Sequence, residues 1–450
     1  MTITSEALAP NTPPTDIGAG ATDIKTLNWR VIILASLGGA LEFYDFIVYG
    51  IFAQYIAATF FPSSDPLISL INAFAVFAVG YLSRPLGGLI LSHIGDRSGR
   101  RRSFLASLLI MTLATFAMAI MPSYATLGAT ASVAFILLRF IQGGCVGGEL
   151  PNAITYVVET APRRAGLACG IVFFCVNTGV FLATSVSSTL HSYLSPAEMQ
   201  AYGWRIAFAI GALLGVVSYL LRAALEESPA FQRIRTQTAR IPVVDLLKRF
   251  PGPVVVGIGV AGLVQAFNGL LIVAMAPYLT RVLGYDPRQV AVAVNIAMGI
   301  LSFGIIAVGF ASDFVPRRYF HRIGAVLLML LSYPAYQALA GHSVNLYVLF
   351  AIIGLVGAFA NGTFGVLLAD LFPTEVRFSG IAMSYNIAAA VFGGFAPLII
   401  GSLLATTGDK ASPGYFIAAV AAVALVAGLF LKRYTIREDA SPIDHAQRAT

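Results

Sequence analysis

Residues Ser92–Phe104 read SHIGDRSGRRRSF, and residues Gly309–Phe320 read GFASDFVPRRYF. In each stretch an aspartate is followed, four and five residues on, by a pair of arginines: Asp96 with Arg100 and Arg101, Asp313 with Arg317 and Arg318. The copies stand 217 residues apart, and each follows the second long apolar run of its half of the chain. A basic loop repeated at that distance in so apolar a sequence predicts two similar halves.

The remaining sequence fixes what the halves are made of. Of 450 residues, 58% are hydrophobic and 11% charged, with a mean hydropathy of +0.82. Ordinary globular domains carry about 25% charged residues, so a soluble chain of this composition has too little polar surface to cover itself. Apolar runs long enough to cross a ~30 Å hydrocarbon core recur along the chain. Twelve spans are predicted, at 29–58, 68–92, 103–121, 126–157, 165–190, 204–224, 253–280, 288–311, 321–340, 344–370, 380–405 and 413–432. The expected organisation is a disordered tail (1–28), a six-helix half (29–224), a linker (225–252), a second six-helix half (253–432) and a short tail (433–450). No cleavable leader is visible in the polar, Thr/Pro-rich N-terminus.

Charge placement supplies the topology. Twenty-two of the 28 Lys and Arg fall in the tails and in the loops after spans 2, 4, 6, 8 and 10, whereas the opposite loops hold only Arg205, Arg281, Arg288 and Lys410. The positive-inside rule therefore places both tails and the even loops in the cytoplasm. The net charge of +7 is read as this topology signal and not as a nucleic-acid surface, which needs a basic face on a soluble domain.

Ionisable groups inside spans are expensive and are functional candidates by default. Span 1 carries Glu42, Asp45 and Tyr49 at spacings of three and four, on one helix face. Span 4 carries Arg139. By helix rise, Asp45 lies ~24 Å from Trp29 and Arg139 ~18–20 Å from the outer end of its span, so both fall near the midplane. An Asp45–Arg139 pair there makes a proton switch: protonating the acid frees the arginine for an anion. A static pair that only fixes helix packing is the alternative. Glu42 is a second proton-coupling candidate, although Glu42, Arg84 and Glu149 read first as braces near the cytoplasmic end. Tyr49 and Arg139 are substrate-binding candidates.

In the second half, Gln265, Asn268, Asn361, Tyr385 and Asn386 are the polar candidates for binding substrate, against the commoner use of such groups in helix-to-helix hydrogen bonds. Paired glycines such as Gly87-Gly88, Gly143-Gly144 and Gly147-Gly148 suit close helix crossings, and no phosphate loop is present. Asp370 reads as structural, and the five histidines as solvated. Cys145, Cys169 and Cys175 lie in apolar helices and show neither disulfide nor metal spacing.

Together the stretches EFYDFIVYG (42–50), SRPLGGLILSHIGDRSGRR (83–101), RFIQGGCVGGE (139–149), EESPAFQR (226–233) and LFPTEVRFSGIAMSYNIA (371–388) resemble the major facilitator superfamily. More narrowly they resemble its metabolite:proton symporters, in the sugar-porter-like branch. The resemblance implies an all-α fold of twelve transmembrane helices. It implies proton coupling at Asp45 and a span 4 arginine at Arg139. It also implies a cytoplasmic gate built from Asp96, Arg97, Arg100, Arg101, Glu159, Arg163, Arg164, Asp313, Arg317, Glu375 and Arg377. Departures are Ser92, where glycine is usual, Phe314-Val315-Pro316 in the second loop, which implies a weaker clamp there, and Leu150-Pro151-Asn152 after GGE, where Pro151 can bend span 4.

The leading expectation is a secondary transporter in a bacterial inner membrane, taking up a small organic anion (a mono-, di- or tricarboxylate) with protons by alternating access. Uptake of a zwitterionic osmolyte such as a betaine, or an efflux antiporter, is the alternative. A channel lacks its filter or polar rings, an enzyme lacks a nucleophile or metal constellation, and a nutrient sensor would be expected to carry a long soluble extension. Expected partners are a small-molecule substrate, protons and membrane lipid, with no nucleic acid, no metal and no cofactor, the chain acting as a monomer.

Overall fold

The computed structural model describes residues 29–64, 75–76, 78–234 and 242–436. The predicted N-terminal tail, residues 437–450 of the C-terminal one, the start of span 2, Arg235 and Arg240 of the linker, and the Glu42 side chain lie outside the described residues; the first residues of the C-terminal tail, expected to be disordered, continue the last helix to Tyr434.

The spans form α1 (Trp29–Ile51), α2 (Arg84–Ser98, following helical residues 78–82), α3 (Arg100–Ile120), α4 (Ala129–Thr160), α5 (Ala165–Tyr193), α6 (Trp204–Ala223), α7 (Pro251–Asn268), α8 (Pro287–Ala311), α9 (Arg317–Ala340), α10 (Leu346–Asn361, resuming at Phe364–Asp370), α11 (Arg377–Ala388, resuming at Ala396–Thr407) and α12 (Pro413–Tyr434). Among the described residues, 11 helical stretches are long and apolar enough to cross a membrane; the α2 span begins outside them. Leu113, Leu213, Phe303 and Leu398 are all more than half exposed on the outer surface, as expected of helices that face lipid.

Packing repeats with a period of six helices. In the first half α1 lies on α5, α2 on α4 and α3 on α6; in the second, α7 lies on α11, α8 on α10 and α9 on α12. The halves meet along two equivalent seams, α5 against α8 and α11 against α2. The repeated loops thus report a repeated helix arrangement, with a pseudo-twofold relation between the halves.

Glycines set the closest crossings. A Cβ on Gly87 of α2 would stand 2.1 Å from the Gly144 carbonyl oxygen of α4, and one on Gly147 would stand 2.1 Å from the Arg84 carbonyl oxygen. Only glycine lets these two backbones touch. Between α2 and α3, Gly99 has φ +111°, a conformation that L side chains rarely adopt, and it turns the chain so that Arg100 opens α3. Pro151 lies inside α4, which remains one helix from Ala129 to Thr160.

The linker is more ordered than its composition suggests. Pro229–Ile234 and Pro242–Arg249 are short helices. The second is strongly amphipathic in sequence, buries Leu246 completely and packs against α2 and α11. His321 departs from the expectation of a solvated side chain. It is fully buried in α9, with its Nε2 3.1 Å from the Ala424 carbonyl of α12, because the first turn of α9 is already covered by α12.

Candidate functional site

Three groups of buried polar residues occupy the seams between helices. The first joins the halves on the face that carries the basic loops. Asp96, at the end of α2, accepts hydrogen bonds from the backbone N–H (2.9 Å) and the hydroxyl (2.6 Å) of Ser379 in the first turn of α11. Asp313, after α8, accepts from the backbone N–H groups of Gly166 (2.7 Å) and Leu167 (3.0 Å) in the first turn of α5. Each loop aspartate therefore caps the N-terminus of a helix in the other half, where helix dipole and orphan N–H groups favour an anion. Burial pushes the Asp313 carboxyl up, and the Leu167 and Gly166 N–H groups and Arg317 draw it back.

Arginines brace the two caps unequally. Arg100 is fully buried, 2.9 Å from Asp96 and 3.1 Å from Glu159, and also donates to the Gly95 (2.7 Å) and Thr374 (2.9 Å) carbonyls. Arg317 stands 3.7 Å from Asp313 and is 2.5 Å from Asp370 instead. Glu159 is the centre of this cluster. It pairs with Arg100 in its own half and with Arg377 (3.2 Å) in the other, and it accepts from the Ser228 hydroxyl (2.6 Å).

Other residues expected at this gate are placed elsewhere. Arg164 lies over the rings of Phe310 and Phe314 and does not pair with Glu159. The aromatic Phe314 thus offers Arg164 a seat where the first loop has Arg97. Arg163 and Arg97 are exposed. Arg101 donates to the Ala223 carbonyl (2.7 Å) and packs with Glu227, whose carboxylate caps the first turn of α3. Glu375 makes no hydrogen bond or ion pair among the described residues.

The second group is a brace. Glu149 of α4 pairs with Arg222 of α6 and accepts from the Ser107 hydroxyl (2.6 Å), and Arg222 donates to the Ala35 carbonyl (2.8 Å). Both side chains thus join helices of one half.

The third group surrounds the midplane. The expected Asp45–Arg139 pair does not form an ion pair. Asp45 accepts one hydrogen bond, from Thr115 of α3 (3.0 Å); Thr115 accepts from the Gln142 amide (2.9 Å); and the Gln142 carbonyl accepts from Arg139 (2.5 Å). Arg139 is held away from the carboxylate because its guanidinium lies over the rings of Phe46 (4.3 Å) and Tyr49 (4.4 Å).

Next to it is a cavity of about 60 Å³ between the halves. Arg84 lines this cavity from α2, where a brace at the end of the span was expected. Its guanidinium lies 4.2 Å from the centroids of both Phe46 and Tyr81, and its Nε and Nη2 have no hydrogen-bond partner. Gln265, Asn268, Asn361 and Tyr385 line the other side, from α7, α10 and α11. The Asn268 amide donates to Asn361 (3.0 Å), while Gln265 Nε2 and Asn268 Oδ1 are unpartnered. Tyr49 does not line the cavity. Asn386 does not either: it donates to the Gly147 carbonyl of α4 (2.6 Å) and so ties the halves together.

The sequence reading missed Phe46, Thr115 and Asn177 in this group. Phe46 escaped because it looks like a lipid-facing apolar residue, and Thr115 because a threonine in a span usually bonds its own helix. Also unforeseen are wide i→i+5 turns that interrupt α7 at Gly269–Ala274 and α11 at Ala389–Gly394. Gly269 and Gly393 both line the cavity, and such turns are frequent at functional sites. A space of about 60 Å³ holds about two water molecules at ~30 Å³ each and is too small for a metabolite. With the basic face clamped shut, the arrangement suits a rocking motion about a central site.

Comparison with known proteins agrees. A profile described as "Sugar (and other) transporter" matches residues 31–241, and one described as "Major Facilitator Superfamily" matches residues 257–449. A citrate-proton symporter of Klebsiella pneumoniae is 33% identical over 406 residues, 89% of this chain and 91% of that protein. A proline/betaine transporter of Salmonella typhimurium is 32% identical over 422 residues, 90% of this chain and 83% of that protein. The fold matches that of the proton:xylose symporter XylE bound to 6-bromo-6-deoxy-D-glucose, with a TM-score of 0.74 at 19% identity over 90% of this chain and 95% of that one. The chain is a transporter and not an enzyme, and it belongs to the major facilitator superfamily.

Proposed function

We infer that the chain takes up a small organic anion, a mono-, di- or tricarboxylate, together with protons, by alternating access. The observation that carries this reading is Arg84. A buried guanidinium in the cavity between the halves has aromatic faces for neighbours and two nitrogens without acceptors. A buried cation left so is a strong seat for a carboxylate, which a guanidinium can grip at two points. Gln265, Asn268, Asn361 and Tyr385 complete the binding surface. Asp45, with Glu42 on the same helix face, is the proton site, and Arg139 lies between it and the cavity wall formed by Phe46. The basic face, with both termini, is cytoplasmic. Asp96, Arg100, Glu159, Asp313, Arg317 and Arg377 form the gate there. The printed name of the Klebsiella relative, a citrate-proton symporter, agrees with an anion.

A betaine is the second reading. Aromatic rings of Phe43, Phe46, Tyr81, Phe173, Phe364 and Tyr385 line the cavity and suit a quaternary ammonium, and several relatives are named proline/betaine transporters. Proteoliposomes containing a pH-sensitive dye separate the two. Citrate and other carboxylates are expected to acidify the lumen of wild-type vesicles and not of Arg84→Met vesicles. Acidification by glycine betaine alone would overturn the anion reading and leave the symport mechanism standing.

A further inference from the structure

We propose that Thr115 and Gln142 are positioning residues that carry the protonation state of Asp45 to the guanidinium of Arg139. This rests on the reading of Asp45 as the proton site. Donor and acceptor chemistry fixes the direction of the chain. Arg139 has donors only, so the Gln142 atom facing it at 2.5 Å is the carbonyl oxygen. The Gln142 NH₂ must then point to Thr115 at 2.9 Å, and the Thr115 oxygen accepts from it. The hydroxyl proton of Thr115 is left for Asp45 Oδ2 at 3.0 Å. Every donor thus points toward the carboxylate, and the chain is polarised by a permanent cation at one end and a titratable acceptor at the other.

All four side chains are buried: Arg139, Gln142 and Thr115 have no exposed surface and Asp45 has 3%. No solvent therefore stands in for a lost partner. The Thr115 bond is the one hydrogen bond Asp45 receives; its Oδ1 has none and faces Gly211 of α6, where a Cβ would lie 2.0 Å away. Charged or titratable neighbours of Asp45 are Arg139 of α4 and Tyr44 of its own helix, whose hydroxyl donates to the Ala207 carbonyl. Among the described residues, α3 presents Thr115 to Asp45, and α6 presents Gly211. One proton added to Asp45 removes the negative end of the chain. Thr115 then loses its charged acceptor, Gln142 is no longer held between two fixed partners, and the hold of Gln142 on the Arg139 guanidinium weakens beside the wall of the cavity, while the Phe46 carbonyl and the Phe46 and Tyr49 rings keep their contacts with it.

The test needs no knowledge of the substrate. Infrared difference spectra of the reconstituted full chain, recorded between acidic and alkaline buffer, report both ends of the chain. The Asp45 carboxyl appears as a C=O band absent from Asp45→Asn. The Arg139 guanidinium appears as bands that shift on ¹⁵N-arginine labelling and vanish in Arg139→Lys. Thr115→Val and Gln142→Leu are expected to retain the titrating C=O band and lose the guanidinium bands, while Thr115→Ser retains both. A purely packing role for Thr115 predicts that the guanidinium bands persist in the nearly isosteric Thr115→Val, and that result overturns the relay. If instead the C=O band survives in Asp45→Asn, the assignment of Asp45 as the proton site fails, a distinguishable outcome.

Discussion

Asp96→Asn tests the gate most directly, since its contacts across the seam are few and short. In the closed state Asp96 accepts two hydrogen bonds from Ser379 of the other half, at 2.9 and 2.6 Å, in a setting with no exposed surface. Its pairing with Arg100 (2.9 Å) lies within one half and survives opening. Of the contacts Asp96 makes, the two Ser379 bonds are the ones lost when the halves part. A hydrogen bond to a charged group contributes ~1.5–3 kcal/mol and a neutral one ~0.5–1.5 kcal/mol. Removing the charge while keeping the shape therefore weakens closure by about 1 kcal/mol per bond, or about 2 kcal/mol in all. At 1.4 kcal/mol per factor of ten, the closed-to-open ratio falls roughly 30-fold. Asp96→Ala loses both charged bonds outright, ~3–6 kcal/mol at ~1.5–3 kcal/mol each and more than about 100-fold, while Arg100 keeps Glu159. Hydrogen–deuterium exchange of the chain in nanodiscs reads this opening at the Ser379 amide, because its N–H is one of the donors. Peptides covering residues 377–388 are expected to exchange about 30-fold faster in Asp96→Asn, with α12 unchanged. Protection that stays within about threefold of wild type would show that the Ser379 cap does not hold the gate, and would refute the reasoning.

Other consequences are independent of the gate. Arg84→Met removes a buried cation with unpartnered nitrogens, so the ligand-free protein is expected to gain about 1–3 kcal/mol of stability while losing citrate-driven acidification; a lower melting temperature in the variant would show that Arg84 is a structural brace. Glu149→Gln leaves Arg222 buried without its carboxylate and is expected to destabilise the first half by ~3–5 kcal/mol, read as a fall in melting temperature that Glu149→Asp partly spares. Gly87→Val places a side chain where the Gly144 backbone already lies, with a Cβ 2.1 Å from its oxygen; loss of folded protein in fluorescence size-exclusion profiles is expected, whereas Gly401→Val, in open space, is expected to be silent.

Much of this architecture is legible in the sequence. Apolar run length fixes the spans, since an unpaired backbone in lipid forces each run into a helix. The repeated Asp-x-x-x-Arg-Arg loops fix the two halves, and the structure adds what they do, which is to cap α11 and α5 across the seam. Glycine pairs marked close helix crossings in the sequence, and the structure adds that Gly87, Gly144 and Gly147 make the one between α2 and α4. The ionisable residues at the midplane were visible as candidates from their cost in lipid.

Partnership among those residues was not legible, because it depends on which faces of separate helices meet. Asp45 and Arg139 share a depth, yet aromatic faces hold the arginine while Thr115 and Gln142 stand between. Arg84 and Glu149 read alike in sequence, each as a brace near the cytoplasmic end of its span. Packing gives Glu149 an arginine from α6 and gives Arg84 two aromatic rings and a place in the cavity wall, and the proposed function of Arg84 rests on that difference. Sequence determined the spans, their repeat and the set of costly side chains, all consequences of local chemistry and of lipid as solvent. Only tertiary structure decided which charges are neutralised and which is left waiting, since that is settled by side-chain geometry across helices far apart in the chain.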